Sequence, residues 1–508
     1  MTNLRWPRHL ERYLLAAIVA VGMILRLIYL LRIYPFIDEY NTMLAIKMIL
    51  GKGVPLMPSG LFYNHGILFS YIGALFAAVL GFGQTVARLP SLVFSLPAIL
   101  VLYYAGQRWF STHVGLSAAL LLALCPEAIE WGGRARMYAL WQLMTLAAVL
   151  LLYEGIIRHP STRTRCLGIA AFTGAALCHM RALILLPPLG LGLMLAWLLT
   201  RHTAPAASRS RRIPWPELVT ALGGTLIFLL AQRLDRPGGV ADSTVIQTES
   251  LLNPIRLIAD IIIGAQQFLI PPYLILTGLA FVGFLALLLR LKRRQAGPAD
   301  ATLILLYCVV VGTIVEFSLI TPLIIRVPRY VFDLLPFYFL IVSHEIDFLF
   351  DLVAARLRPR MQSIIHWLPI GLILILFAGP ASSVVTTQRY AASLALDVVR
   401  EQWQPGDRLA THLTATAGVV LEHCDHFVAL ENPFLYKNAD GILTDPFLGL
   451  PWIGTEAELR QVVEESTRIW LLVEKRYAGA YEEILGDQMD LVFEQWDVNL
   501  YLIPGGLW

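Results

Sequence analysis

Charge is scarce in this chain and cysteine scarcer. Only 15% of its 508 residues are Asp, Glu, Lys or Arg, whereas 57% are hydrophobic and the mean hydropathy is +0.65; an ordinary soluble domain has about 25% charged residues. A wholly soluble chain is thereby excluded, and a polytopic membrane protein is expected. The net charge of +3 is too small to mark nucleic acid or another polyanion as a partner, so the placement of Lys and Arg along the chain carries the information. The cysteines Cys125, Cys166, Cys178, Cys308 and Cys424 show no CxxC or metal-type spacing, which excludes a disulfide framework and a zinc site. No internal repeat of the kind that marks many transporters is present. The N-terminal MTNLRWPRHLERY lacks a small-residue cleavage site, and Arg26 interrupts the apolar run after it, so an uncleaved first helix is expected rather than a signal peptide.

What the chain does have is long apolar runs. A span needs roughly 20 apolar residues, and stretches near 14–31, 89–106, 114–129, 137–157, 167–178, 182–199, 218–231, 273–289, 302–320, 330–346 and 364–378 qualify, with 66–82 and 255–270 as two further candidates. Charge decides between them. Basic clusters fall at Arg5 to Arg12, Arg108 with His113, Arg158 to Arg165, Arg201 to Arg212, Arg290 to Arg294 and Arg356 to Arg360. Cytoplasmic loops carry the Lys/Arg excess, and all six clusters share one side only if 66–82 and 255–270 do not cross. The second of these also carries Arg256 and Asp260, which suits an interfacial helix. The expected topology is a cytoplasmic N-terminus, about eleven spans with interfacial helices, and an external C-terminus, in a plasma (inner) membrane.

Composition shifts at Ser382. Beyond it GDRLATHL, HFVALE, RIWLLVEK, DLVFEQW and NLYLIP read as short strands, and TEAELRQVVEES as an amphipathic helix. A membrane module over 1–381 and an extracytoplasmic α/β domain over 382–508 are therefore expected.

The outer face is organised around IYPFIDEYNTMLAIKMILGKGVPL, residues 33–56, followed by LFYNH at 61–65. It sets two carboxylates, Asp38 and Glu39, beside the end of a membrane helix. A carboxylate can take the proton of an acceptor hydroxyl, and guanidinium groups grip phosphate oxygens in a bidentate fork. Arg136 and Arg329, with Arg134, Arg181 and Arg326 behind them, gather on the outer face against the positive-inside bias. Structural roles compete with these. The acid pair can cap a helix beginning near Tyr40. Adjacent carboxylates point in different directions, so one would act while the other positions. Arg134 and Glu130, and Arg329 and Asp333, are spaced as helical ion pairs, and for Arg134 that is the better account. Arg26 can snorkel to the boundary. Glu316, inside a span, is either functional or the partner of an outer arginine.

The ordered runs DEYNTMLAIKMILGKG, NHGILFSYIGALFAAVLGFG, ARLPSLVFSLPAILVLYYAGQRWF, CPEAIEWGGRARMYAL and RVPRYVFDLLPFYFL resemble the membrane glycosyltransferases of the GT-C fold, in the group holding protein O-mannosyltransferases and lipid A aminoarabinose transferases. The resemblance covers about the first 160 residues and the late RY segment. It implies an inverting transferase that uses a polyprenyl-phosphate sugar at the extracytoplasmic face and an acceptor hydroxyl on a lipid, glycan or protein. Asp38 would be the base, with Glu39 beside it. His65, Arg134, Arg136, Arg326, Arg329 and Tyr330 would contact the donor phosphate, and Tyr63 and Tyr138 the sugar or acceptor. Two departures stand out: His65-Gly66-Ile67-Leu68 where the group commonly reads HPPL, and Tyr138 where it often has an Asp. Asp38, Glu39 and His65 offer ligand types that a divalent metal accepts. No spacing demands one, and neither metal nor other cofactor is expected. The rival readings are a transporter or lipid flippase, and a ligase or polymerase taking a diphosphate-linked oligosaccharide.

Overall fold

The computed structural model describes residues 8–201, 254–320, 327–356 and 367–504 apart from 432, 433 and 439, together with 365 and scattered positions of 216–230. Apolar runs of membrane length become helices because lipid offers no partner to a backbone N–H or C=O. In chain order the first nine are α1 (Arg8–Arg32), α2 (Ile37–Lys52), α3 (Ile67–Leu80), α4 (Gln84–Trp109), α5 (Thr112–Leu124), α6 (Pro126–Gly133), α7 (Tyr138–Tyr153), α8 (Thr162–Cys178) and α9 (Leu186–Arg201). The remaining helices of the apolar part are α10 (Pro254–Gly264), α11 (Tyr273–Lys292), α12 (Pro298–Tyr307), α13 (Thr313–Ile320), α14 (Leu335–Ala354) and α15 (Leu368–Thr386).

Among the described residues seven helical spans, built on α1, α4, α7, α9, α11, α12 with α13, and α15, are long and apolar enough to cross a membrane, and α5 with α6 makes an eighth if the pair, bent by 60°, is one span. Of the other three expected, two are short or charged for physical reasons and the third is not described in full. The 167–178 stretch is α8, only 17 residues long. The 330–346 stretch became α14, which carries Glu345, Asp347 and Asp351. The 218–231 stretch lies largely outside the described residues. The two stretches expected not to cross are α3, of 14 residues, and α10, of 11. At 1.5 Å per residue neither reaches across a hydrocarbon core of about 30 Å.

The bend between α5 and α6 explains Arg26. It does not snorkel: it is 1% exposed, and its guanidinium donates to the carbonyls of Leu122 and Ala123 at 3.0 and 3.1 Å. Pro126 has no N–H to bond the Leu122 carbonyl four residues back, so the arginine of α1 supplies the donor the proline withdraws. Beside it α4 and α5 pack backbone to backbone at Gly106 and Gly115, where a Cβ on either glycine would lie 2.6–2.7 Å from main-chain atoms of the other helix.

The C-terminal part opens with α16 (Ala392–Gln402) and forms a mixed six-stranded sheet. Its strands are β1 (Asp407–Thr411), β2 (His426–Val428), β5 (Trp452–Ile453), β6 (Arg468–Glu474), β7 (Asp490–Gln495) and β8 (Val498–Pro504), in the order β5-β2-β1-β6-β8-β7. The short strands β3 (Tyr436–Lys437) and β4 (Leu443–Thr444) form a separate hairpin. From β5 to β6 neighbours run parallel, and β8 and β7 are antiparallel. Each of the five expected strands is present, and the expected helix is α18 (Glu456–Glu465), preceded by α17 (Thr414–Val420) and followed by α19 (Ala478–Leu485). Thr455 and Glu458 form a capping box at the start of α18.

This sheet sits on the first loop of the apolar part. Ala415, Val419 and Val420 of α17 join Tyr40, Met43 and Leu44 of α2 in one hydrophobic cluster. Ser59 donates from Oγ to the Pro446 carbonyl at 2.5 Å, and Lys47 pairs with Glu422 at 2.8 Å.

Candidate active site

The helix α2 begins at Ile37, three residues before the expected start, and puts both acids in its first turn. There they part. Glu39 points inward and is fully buried. Its Oε1 accepts from the Phe36 backbone N–H at 2.9 Å and from Arg88 Nη2 at 2.8 Å, and its Oε2 accepts from Arg88 Nε and from the Ala135 N–H, both at 2.7 Å. Arg88 in turn donates to the carbonyls of Leu30 and Ile33, where α1 ends. A buried carboxylate needs a charge partner and full hydrogen bonding, and Glu39 has both. It caps its own helix and ties it to α1, α4 and the segment after α6.

Asp38 faces outward, into a cleft of about 700 Å³ lined also by Phe36, Glu130, Trp131, Arg329 and His412. Its Oδ2 lies 2.9 Å from Arg329 Nη1 and 3.8 Å from Arg136 Nη2. Arg136 is 5% exposed, and its Nη1 donates to the Asp38 carbonyl at 3.0 Å, to Tyr63 Oη at 2.9 Å and to Thr42 Oγ1 at 3.2 Å. The Nε of Arg136 and the Nε of Arg329 are both buried and have no hydrogen-bond partner among the described residues. Two guanidinium groups thus flank one carboxylate with donors to spare. Arg329 pairs with Asp38 and not with Asp333, because Pro328–Leu334 is a tight 3-10 turn with a break at Val331 and not the α-helix that an i,i+4 pair requires.

An aromatic layer lies against the two arginines. The Tyr138 ring, 1% exposed, is 6.0 Å from the Arg136 guanidinium and 4.3 Å from the Trp131 ring. Tyr330 sits 5.4 Å from the Arg329 guanidinium, edge-on to His179, with Arg181 stacked over it at 4.0 Å. Burial, with the charges of His65, Arg181, Arg136 and Arg329 around it, holds the His179 imidazole well below its usual range; it is neutral near pH 7. His65 itself is exposed, its ring 5.8 Å from that of Tyr63. Just after it, Gly66 enters α3 with φ +80°, and a Cβ there would lie 2.9 Å from Met137. Proline, fixed near −65°, does not fit that conformation, which accounts for the departure from HPPL.

Arg134 is placed differently. It is 2% exposed, donates to Tyr29 Oη at 2.9 Å and to Tyr390 Oη at 2.6 Å, and forms the ion pair with Glu130 that the i,i+4 spacing suggests. Its guanidinium stacks between Phe36 and Trp131 at 4.7 and 4.6 Å. It therefore fastens α1, α6 and the segment before α16. Glu316 makes no hydrogen bond or ion pair among the described residues, and Arg326 lies outside them. Among the described residues no group of three or more His, Cys, Asp and Glu is arranged to hold a metal ion.

Sequence reasoning missed Arg88, His179 and the contribution of the sheet. Nothing local to Arg88 marks the acid 49 residues earlier that it clamps. His412 just after β1, Glu474 at the end of β6 and Arg476 in the turn that follows it line the same cleft as Asp38. Their position at the carboxyl ends of parallel strands is the one signal that points to them.

Residues 64–234 match the family described as dolichyl-phosphate-mannose-protein mannosyltransferase. The whole fold is similar to that of ArnT from Cupriavidus metallidurans, whose crystal structure bound to undecaprenyl phosphate matches with a TM-score of 0.60 at 14% identity, covering 96% of this chain and 97% of that one. The apo form of the same enzyme gives 0.59 at 15%, with equal coverage. The archaeal oligosaccharyltransferase AglB from Archaeoglobus fulgidus, in complex with an inhibitory peptide and a dolichol-phosphate, gives 0.56 at 12%, covering 94% of this chain and 71% of that one. No curated protein is significantly similar in sequence. Over nearly its whole length the chain thus has the GT-C fold of these structures, and one segment of its apolar part matches the mannosyltransferase family.

Proposed function

We propose that the chain transfers a sugar from a polyprenyl-phosphate donor to an acceptor hydroxyl on a lipid, glycan or protein, with inversion, and that Asp38 is the base. The observation that carries this reading is the placement of one cleft-facing carboxylate between two guanidinium groups whose Nε donors are buried and unused. Asp38 takes the acceptor's proton as the acceptor oxygen bonds to the anomeric carbon. The bond from that carbon to the phosphate oxygen breaks, and its electron pair leaves with the polyprenyl phosphate. Arg136 and Arg329 stabilise the charge that grows on that leaving group. Arg329 pairs with Asp38 at 2.9 Å in the wall of the cleft, so a phosphate there would compete with the carboxylate for its guanidinium. Tyr63 holds Arg136, and Glu39 holds the start of α2, so both act by positioning; Tyr330, Tyr138 and His65 complete the surroundings of the sugar phosphate.

In this reading 1–381 forms the membrane module, with a cytoplasmic N-terminus in a plasma (inner) membrane, and 382–508 lies on the extracytoplasmic side as a roof over the cleft. The ArnT structure with undecaprenyl phosphate supports a donor of that kind. Mass analysis of lipids that copurify with the protein tests it: a monophosphate polyprenyl sugar is expected, and a diphosphate-linked oligosaccharide would reassign the donor. Asp38→Asn tests the base. Transfer should fall by roughly 10²–10⁴ while insertion and melting stay unchanged; undiminished turnover would remove Asp38 from the chemistry.

A further inference from the structure

The sheet carries a second cavity that the transferase reading leaves unused. The chain leaves β1 for β2 on one side and returns to β6 on the other, so the carboxyl ends of β1 and β6 frame a topological switch point. Open α/β sheets bind ligands at such crevices. A pocket of about 170 Å³ sits there, with His412, Glu431, Phe434, Glu474, Arg476 and Tyr477 in its wall. His412 Nε2 lies 3.1 Å from Glu474 Oε2 and so joins the turn after β1 to the end of β6, while Arg476 Nη2 reaches the same oxygen at 2.9 Å. These three side chains also line the cleft of Asp38. Pocket and cleft therefore share a wall.

The chemistry of that wall selects among ligands. An anion would meet two carboxylates, Glu431 and Glu474, against one guanidinium that Glu474 already occupies. A hydrocarbon tail would strip water from Glu474 and Arg476 and return no hydrogen bond. Hydroxyl groups both donate and accept, so they satisfy the carboxylates and the guanidinium together. The aromatic rings provide the complementary flat faces: Phe434 is 62% exposed at the pocket, and the Tyr477 ring lies under Arg476 at 4.6 Å and edge-on to His412 at 5.5 Å. The volume suits one ring, not the several hundred Å³ of a drug-sized site.

We propose that this pocket binds a sugar ring of the acceptor and thereby sets an acceptor hydroxyl over Asp38. The inference rests on the transferase reading above and narrows its acceptor to one that already carries sugar. Saturation-transfer NMR on the full-length protein, in a detergent without a sugar headgroup, tests it with the methyl glycosides of glucose, mannose and N-acetylglucosamine as probes. Saturation should pass to the ring protons of at least one probe, fall at least fivefold in Phe434→Ala and in Tyr477→Ala, and persist in Asp38→Asn. No transfer to any of the three, or signals as strong in both aromatic variants as in the parent, overturns the sugar pocket. Binding of undecaprenyl phosphate, measured on the same samples, keeps the two claims apart. It should survive Phe434→Ala and weaken in Arg329→Ala, and a loss of donor affinity only in Phe434→Ala would overturn the separate pocket.

Discussion

Arg329 Nη1 lies 2.9 Å from Oδ2 of Asp38, a residue 291 positions earlier in the chain. The contact joins the first loop to the turn before α14 and closes one side of the cleft. It also pairs two part-exposed groups that have different tasks in the proposed reaction.

Arg329→Ala should weaken donor binding more than it alters the fold. One charge-assisted hydrogen bond contributes about 1.5–3 kcal/mol, or roughly ten- to a hundredfold in affinity. Arg329→Lys should recover part of the loss, since a lysine keeps the charge without the fork. Titration with polyprenyl phosphate reads both, and unchanged affinity in the alanine variant would return Arg329 to a purely structural role.

Glu39→Gln should act on stability. It leaves Arg88 charged, fully buried and short of its partner, a loss of about 3–5 kcal/mol when one member of a buried pair is removed. The melting temperature in detergent should drop clearly, with activity lost in step with folded protein. A variant that melts like the parent yet turns over nothing would give Glu39 a direct chemical role.

Arg26→Ala should destabilise by about 1–3 kcal/mol for each carbonyl left bare, here those of Leu122 and Ala123. Pro126→Ala restores the missing N–H to the Leu122 carbonyl, so the two substitutions should be non-additive, with Arg26→Ala milder in the Pro126→Ala background. A double-mutant cycle measures this, and strict additivity would separate the arginine from the helix break.

His179 gives the pH dependence a sign. Its folded pKa is depressed, chiefly by burial and then by the surrounding cations, so below its ordinary value of 6.5 the unfolded chain binds a proton that the folded chain refuses. Stability is then full above about pH 6.5 and declines as the pH falls beneath it. Melting curves from pH 7.5 to 5 should show that decline in the parent and a flatter profile in His179→Phe. Equal slopes would mean that His179 does not titrate on unfolding.

Much of the helical part was legible because its signal is local. A run of apolar residues must satisfy its own backbone, and the placement of Lys and Arg along the chain set 66–82 and 255–270 apart as stretches not expected to cross. Five of the six strands of the sheet followed from alternation and β-branched composition in the same way, while β5, two residues long, left no such pattern. Gly66 in place of proline was visible as a departure, but its reason, the left-handed turn against Met137, belongs to the packed structure.

The sequence by itself determined that this is a membrane protein with a folded C-terminal sheet, and where most of its long apolar helices lie, since composition and periodicity act through near neighbours. Only the tertiary structure decided that Glu39 turns inward to Arg88 while Asp38 turns to the cleft, that Arg134 fastens helices while Arg136 and Arg329 flank the acid, and that the turns after β1 and β6 roof the site. Those assignments depend on contacts across tens to hundreds of residues, and packing fixes them only when all the partners are in place.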